Sequence, residues 1–203
     1  MAGRRKKRAD VLEAAFELLD ANGLEAVTLN AIARHLGSHL NTVSFQVKTK
    51  ARLLELMADE VLGELTLSQL PDDPLARIRT ILDRYRSALL SHPDGARLVA
   101  GTEAVERNTL RVADAIIGAL LDAGTDPTDG IDIFWGLHYF LIGLVQEEQS
   151  SSERTPGNVA ALAFNGDYPA LATVGTQLID EPFNRRFSFG IDTFLARITS
   201  SDP

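Results

Sequence analysis

The chain has 203 residues, of which 45% are hydrophobic, and its formal net charge is −8. This length provides one large domain or two small ones with a buried core, and the lack of cysteine excludes disulfides, thiol catalysis and cysteine–zinc sites. No apolar run is long enough to span a membrane, and no apolar signal core follows the basic start. We therefore expect a cytoplasmic protein without a membrane partner.

The basic residues are concentrated toward the N-terminal end. Residues 1–52 contain nine Lys and Arg against five Asp and Glu, whereas the remaining residues contain 11 against 23. A basic end on an acidic chain indicates a nucleic-acid-binding head attached to a body with another role. The run Arg4–Arg8, considered alone, is more typical of a disordered, solubilising tail.

Three short helices are predicted within this basic end. An apolar stripe over residues 11–19 predicts the first helix, which an Asn-Gly pair ends. Thr28 can cap the second helix, and Gly37 follows it where a helix ends in a left-handed turn. The third helix spans about Leu40–Val47. Two helices joined by a tight glycine turn form a helix-turn-helix, whose second helix enters the major groove of DNA.

The third helix has an inner and an outer face. Val43 and Val47 can pack inward, whereas the outer side chains are polar and uncharged, which suits base edges; these are Asn41, Thr42, Ser44 and Gln46. Lys48 and Lys50 follow at the start of the next helix, where ammonium and backbone N–H groups can meet a phosphate. On this pattern alone two core helices joined by a turn are the commoner structure, and the basic end favours DNA binding.

The remainder of the chain also has helical periodicity. A long apolar pattern from Thr49 to Leu67 predicts a helix that leaves the head, and Pro71 and Pro74 mark a domain boundary. Further helices are predicted at 78–90, 95–101, 105–123, 131–149, 168–179 and 185–198, with a flexible Ser, Pro and Gly-rich loop at 150–167. No alternating strand pattern occurs. The prediction is an all-α protein with a helix-turn-helix domain at 1–65, joined by a long helix to an all-helical domain at 66–203.

The sequence lacks the patterns of catalytic and metal-binding sites. Its four histidines, His35, His39, His92 and His138, do not form a metal-ligating spacing. No Gly-rich phosphate loop or nucleophile elbow occurs. We therefore predict that the protein is not an enzyme and has no catalytic residues, no metal and no cofactor.

Residues 10–65 resemble the DNA-binding domain of the TetR family of transcriptional regulators. The hairpin TLNAIARHLG and the K-x-K-x-x-LL start of the fourth helix carry this resemblance. The body resembles the tetracycline repressors in ALLSHPDGARLVAGT at 88–102 and HYFLIGLVQEEQ at 138–149. The resemblance implies a homodimer that binds a palindromic operator and is released by a small-molecule inducer. It also implies that helices near 128–149 and 184–199 form the dimer interface.

The resemblance assigns roles within the third helix, which we call the reading helix because it would contact the base edges. This chain departs from the family pattern there. The family's aromatic-x-His motif is replaced by Ser44 and Gln46, and Phe45 falls where tetracycline repressors have tryptophan. Base-edge contacts are expected from Leu40, Asn41, Thr42 and Gln46. Phosphate contacts are expected from Thr28, Ser44, Lys48, Lys50 and the Arg4–Arg8 arm, which could instead enter a minor groove.

A ligand site is implied in the body, but without the drug-binding groups of the tetracycline repressors. Their magnesium-binding histidine falls at Val99, a neighbouring arginine at Glu103 and a drug-binding asparagine at Ile81. Because valine has no donor atom, we expect a metal-free, apolar or aromatic inducer. The predicted ligand-binding residues are Ile81, Tyr85, Val99, Glu103, Trp135, His138 and Ile142.

Several of these residues have alternative interpretations. Trp135 and Ile142 could belong to the core of the dimer interface, and His138 could be a hydrogen-bonded interior histidine. His92 is more typical of a helix-end cap than of a ligand contact. Glu147 and Glu148 could form a solvated helix end. For the whole protein, the alternative function is a helical dimeric adaptor or sequestration protein without specific DNA binding. The basic end and the polar face of the third helix argue against it, whereas the missing aromatic and histidine contacts keep it open.

Overall fold

The computed structural model describes residues 7–103, 105–150, 168–175 and 177–199. Every regular element in this part of the chain is a helix, which confirms the predicted all-α class. A short 3-10 turn at Leu24–Ala26 lies between the first two of the following helices: α1 Arg8–Asn22, α2 Leu29–His35, α3 Leu40–Val47, α4 Lys50–Gly63, α5 Pro74–Leu90, α6 Gly95–Ala100, α7 Arg107–Asp122, α8 Pro127–Ser150, α9 Pro169–Val174, α10 Gln177–Asp180 and α11 Phe183–Thr199.

Helices α1 to α4 form the N-terminal head. Ala15 of α1 and Ile32 of α2 are fully buried; α1 packs against the other three helices, and α2 packs against α3. The hydroxyl oxygen of Thr28 accepts a hydrogen bond from the N–H of Ala31 at 3.1 Å and so caps α2. Gly37 has a φ of +57°, the left-handed backbone that glycine adopts without steric cost. The helix-turn-helix therefore forms where the sequence predicted it.

The connection from α3 to α4 differs from the prediction. Lys48 precedes α4 instead of starting it, and its φ of 62° is unusual for a residue other than glycine. The N–H of Thr49 donates to the carbonyl of Val47 at 2.7 Å, which closes a three-residue γ-turn around Lys48. Thr49 then caps α4, because its hydroxyl accepts from the N–H of Arg52 at 3.1 Å. Lys50 is the first helical residue.

Helix α4 ends at Gly63, one turn earlier than the predicted Leu67. Arginine side chains from the body bind the carbonyl groups at this end. Arg111 donates to the carbonyl of Leu65 at 2.8 Å, and Arg84 donates to that of Thr66 at 2.7 Å. Arg111 also donates to the carbonyl of Leu62 at 3.2 Å, so that a guanidinium group binds a carbonyl of the last helical turn as the chain leaves the helix.

The end of the chain also differs from the prediction. The helix expected at 168–179 is interrupted at Gly175, where φ is +59° and the N–H donates to the carbonyl of Leu171. The predicted loop at 150–167 lies outside the described residues except for Ser150, which ends α8. Within the described residues, no helix has the length and apolar character needed to cross a membrane.

Glycines allow α8 and α11 to approach closely. A Cβ on Gly136 of α8 would lie 2.5 Å from the ring of Phe194, and a Cβ on Gly190 of α11 would lie 2.0 Å from that of Phe140. The two phenyl rings lie with their centroids 6.1 Å apart. The two helices therefore interlock through aromatic rings that occupy the space above facing glycines.

Arg86 of α5 joins three helices of the body. Its guanidinium group binds both carboxylate oxygens of Glu148 on α8, at 3.0 and 2.6 Å, and the amide oxygen of Asn184 on α11, at 2.7 Å. The guanidinium also lies over the ring of Phe187, 5.1 Å from its centroid. The interpretation of Glu148 as part of a solvated helix end is therefore wrong, whereas Glu147 is exposed.

Candidate DNA-binding surface and ligand site

The outward face of α3 carries both polar and apolar side chains. Val43 and Val47 are buried in the head, which fixes the rotation of the helix. Asn41 is exposed, and Leu40 and Phe45 expose 40% and 71% of their surfaces. The remaining predicted contacts on α3, namely Thr42, Ser44 and Gln46, are half-buried. This helix can therefore offer amide and hydroxyl groups together with a phenyl ring to a DNA groove.

The predicted phosphate contacts lie at helix ends beside α3. Lys48 and Lys50 are both exposed. The Thr28 hydroxyl oxygen already accepts the capping hydrogen bond, but its hydroxyl hydrogen can donate to a phosphate oxygen. Of the Arg4–Arg8 arm, only Lys7 and Arg8 belong to the described residues, and both are exposed.

In the body, the structure brings Tyr85 and His138 together. The Tyr85 hydroxyl lies 3.5 Å from His138 Nδ1. Burial lowers the pKa of His138 and raises the pKa of Tyr85. Both side chains are therefore neutral at neutral pH and can exchange hydrogen bonds with an uncharged ligand.

The other predicted ligand residues divide between the core and the surface. Ile81, Val99 and Ile142 are buried. Trp135 lies edge-on to the His138 ring at 5.7 Å between centroids, but 46% of its surface is exposed. Glu103 is exposed in the connection between α6 and α7. A molecule that contacts this set would have to enter between packed side chains.

Two open surface cavities do not include any of the seven predicted ligand residues. One of about 230 Å³ lies between α5 and the segment after α4, beside Leu65, Arg84 and Ser87. The other, of about 500 Å³, lies along the end of α8 and includes Gly143 and Glu147. Ile81 and Tyr85 lie in the core, at 0% and 4% exposure, whereas Trp135 and Glu103 lie at the surface, a division that periodicity does not reveal.

Sequence reasoning missed the contacts that join α4 to α7. Asp59 of α4 is only 9% exposed, and its carboxylate accepts hydrogen bonds from the N–H and hydroxyl of Thr109 and the amide of Asn108, at 2.8 to 3.0 Å. Near the start of α4, Arg52 pairs with Glu106 at 2.6 Å. An available signal was the position of Asp59, two residues after Met57 and two before Val61, within the apolar pattern of the fourth helix.

Comparison with known proteins identifies the family. Residues 68–200 match the family model described as the tetracyclin repressor-like C-terminal domain, which is more than half of the chain. The protein belongs to the TetR family. This confirms the resemblance identified from residues 10–65 and from the two segments of the body.

Two tetracycline repressors of Escherichia coli are similar to this TetR-family protein. The class A repressor from transposon 1721 is 31% identical over 69% of this chain and 66% of the repressor, and the class C repressor is 32% identical over 71% and 67%. The matched segments thus span about two thirds of these relatives. A crystal structure described as a possible TetR family transcriptional regulator from Streptomyces coelicolor A3(2) has a TM-score of 0.88 at 28% identity, and covers 97% of this chain and all of that one.

Family membership establishes the general class of activity. TetR-family proteins are ligand-responsive DNA-binding regulators that bind operators and small molecules as dimers, and they are generally not enzymes. The predicted regulator class is therefore confirmed.

Proposed function

We propose that this protein is a homodimeric repressor that binds a palindromic operator and is released by an uncharged apolar or aromatic inducer. One observation carries the proposal: the outward face of α3 carries polar side chains and is followed directly by the exposed Lys48 and Lys50, on the head of a TetR-family chain. In a dimer, two such helices enter successive major grooves about 34–36 Å apart.

The two sets of head residues have different roles in this proposal. Side chains on the outward face of α3, chiefly Asn41, Thr42 and Gln46, read base edges, because amide and hydroxyl groups can donate and accept hydrogen bonds. Leu40 and Phe45 contribute apolar contacts. Thr28, Ser44, Lys48 and Lys50 hold the phosphate backbone and fix the register of the helix without reading sequence.

The proposed dimer interface is the outer surface of α8 and α11. On this surface Trp135, Tyr139 and Phe189 expose 46%, 66% and 72% of their areas in the single chain. Exposed aromatic groups at this density are typical of a protein interface. Two-fold symmetry would place the same surface on both partners and form a four-helix bundle.

The proposed inducer site contains Ile81, Tyr85, Val99, His138 and Ile142, with Trp135 and Glu103 at its edge. The neutral Tyr85–His138 pair supplies polar groups in an apolar surrounding, the usual composition of a small-molecule site. A magnesium-bound ligand does not fit, because Val99 provides no ligand atom where the tetracycline repressors have histidine.

Helix α4 is the proposed connection between ligand and operator. It carries Lys50 at its start and is held to α7 by the contacts of Asp59 and of Arg52 with Glu106. A ligand that binds one arrangement of α6 and α7 more tightly than another would move α4, and with it the spacing of the two heads.

Selection from random DNA duplexes tests the proposal directly. The purified full chain is incubated with the pool at low and at moderate salt, and the bound fraction is sequenced. A palindrome with half-sites one helical turn apart is the expected result. Enrichment of no sequence would contradict the proposal and favour the helical adaptor, for which a protein partner would then be sought.

Substitutions on the two sides of the head should have different effects on DNA binding. Replacing Asn41 or Gln46 with alanine is expected to change the selected sequence, because one base pair is no longer read, at a cost of about 1–3 kcal/mol. Replacing Lys50 with alanine should weaken binding to all sequences and reduce the slope of log affinity against log salt by about 0.9. Unchanged binding in all three variants would show that α3 is not the reading helix.

Replacing Lys48 with glycine should separate folding from binding. Lys48 has a φ of 62° in the γ-turn. Glycine adopts this conformation without the steric strain of a Cβ, so the substitution should raise the free energy of unfolding by about 1 kcal/mol after the backbone entropy of glycine is subtracted. Its phosphate contact would be lost at the same time. Lys48→Ala is the control: it should lose the same DNA affinity without gaining stability, as chemical denaturation and salt titration would show. Equal stability of the two variants would rule out strain at this turn.

A further inference from the structure

One histidine contacts both the head and the body. His92 lies in the turn between α5 and α6, where its Nδ1 is 2.7 Å from a carboxylate oxygen of Asp20 on α1 and its Nε2 is 3.0 Å from one of Glu64, just beyond α4. The imidazole lies against the ring of Phe16, with 4.7 Å between centroids, and only 13% of the side chain is exposed. The ring thus connects the first helix of the head, the end of α4 and the body.

The chemistry of these contacts defines the charge of the ring. An ionised carboxylate can only accept hydrogen bonds, whereas a neutral imidazole has a single N–H. Both contacts can be hydrogen bonds only if His92 carries two protons and is positively charged. Burial by itself lowers the pKa of His92, but the hydrogen bonds and charges of Asp20 and Glu64 outweigh it, so that the pKa is raised above its ordinary 6.5.

Other polar and charged groups around the ring attach the same segment to the head and to α8. The Asp94 carboxylate accepts a hydrogen bond from the N–H of Leu24 at 2.9 Å, and Arg97 pairs with Glu25. The Ser91 hydroxyl donates to Glu64 at 2.9 Å, and Gln149 of α8 donates to the backbone carbonyl of His92 at 2.8 Å. Among these side chains, imidazole is the type whose charge ordinarily changes near neutral pH.

We propose that His92 is a positioning residue for DNA binding, which in its charged form bridges Asp20 and Glu64, holds the head in its orientation on the body and makes operator affinity depend on pH. The bridge is complete at pH values below about 6.5, the ordinary imidazole value, and is lost as the pH rises through the raised pKa of the folded protein. Above that pH the neutral imidazole has a single N–H, so it can donate a hydrogen bond to only one of the two carboxylates. The head is then correctly oriented in a smaller fraction of molecules, and the apparent affinity for the operator decreases in proportion to that fraction.

The test compares the wild-type chain and two variants of it over pH 6 to 9 at constant salt. Wild-type affinity for the selected operator should fall by roughly fivefold over this range, which is the effect expected from the loss of one partly exposed ion pair. His92→Gln should remove this fall. His39→Gln is the matched control, because it makes the same substitution at an exposed histidine that directly precedes α3 and is not one of the bridging groups. That control should keep the fall attributed to His92. Equal pH profiles for wild type and His92→Gln would overturn the proposal.

A second measurement does not require DNA. The His92 imidazole signal, identified by its loss in His92→Gln, is titrated by nuclear magnetic resonance in wild type and in Asp20→Asn, a change at a half-exposed carboxylate. The pKa of His92 should be lower in Asp20→Asn, and the fall in operator affinity should move to lower pH. An unchanged pKa would refute the bridge even if the operator is bound. Since the operator part rests on the proposed function, failure to select any operator would contradict that function, while the titration would still decide the bridge.

Discussion

Replacing Gly95 with alanine is expected to lower the free energy of unfolding by about 3 kcal/mol, and the melting temperature by about 6–12 °C. A Cβ at Gly95 would lie 2.2 Å from the carbonyl oxygen of Leu89 and 3.1 Å from its carbonyl carbon. Both atoms belong to the backbone of α5, so the collision cannot be relieved by a side-chain rotation. The start of α6 or the end of α5 would have to move. Thermal and chemical denaturation monitored by circular dichroism measure the effect.

Gly118→Ala is the matched control for this substitution. Gly118 lies inside α7, and a Cβ there would meet no atom within 4 Å. Because alanine is favoured over glycine in a helix interior, we expect a gain in stability of about 1 kcal/mol. If Gly95→Ala were as stable as Gly118→Ala, the close approach of α6 to α5 would be wrong.

Replacing Phe189 with aspartate is expected to convert the proposed dimer into monomers. Phe189 exposes 72% of its surface on α11 of the single chain and would be covered in the dimer. An unpaired charge buried at an interface costs about 3–5 kcal/mol, and two-fold symmetry places one on each partner, so dimerisation should weaken by at least about 10⁴-fold. A monomer holds only one half-site, and operator affinity should fall by about 100-fold or more.

Leu110→Asp is the control for the charge introduced at Phe189. Leu110 is also an exposed apolar residue, at 54%, but it lies on the first turn of α7, outside the proposed interface. We expect it to leave the molecular mass in analytical ultracentrifugation and the operator affinity unchanged. A Phe189→Asp chain that remains dimeric at micromolar concentration would show that α11 does not form the interface.

Local sequence was sufficient to predict the head. Thr28 and Gly37 define the ends of α2 through a cap and a left-handed turn, both of which depend on residues close in the chain. The burial of Val43 and Val47 follows from helical periodicity. The same reasoning could not reveal the γ-turn at Lys48, because a positive φ at lysine is imposed by the neighbouring helices and not by the residue itself.

Assignment of the body residues depended on the tertiary structure. His92, interpreted as a helix-end cap, instead bridges carboxylates 72 and 28 positions away, and Glu148 pairs with Arg86, 62 positions away. No periodicity encodes such pairs, because they arise only when whole helices pack. The family resemblance indicated that Tyr85 and Ile81 belong to a ligand site, which stays a prediction, and only packing showed that both side chains are buried.

The sequence by itself determined the all-α class, the position of the helix-turn-helix and the basic character of the head, since each depends on neighbouring residues or on composition. Only the tertiary structure decided how the head is attached to the body, through Asp59, Arg52 and His92. It also decided which apolar side chains remain exposed on α8 and α11. The physical reason is that a hydrogen bond or an ion pair between distant residues requires both helices to be in place, whereas a helix cap requires only the adjacent turn.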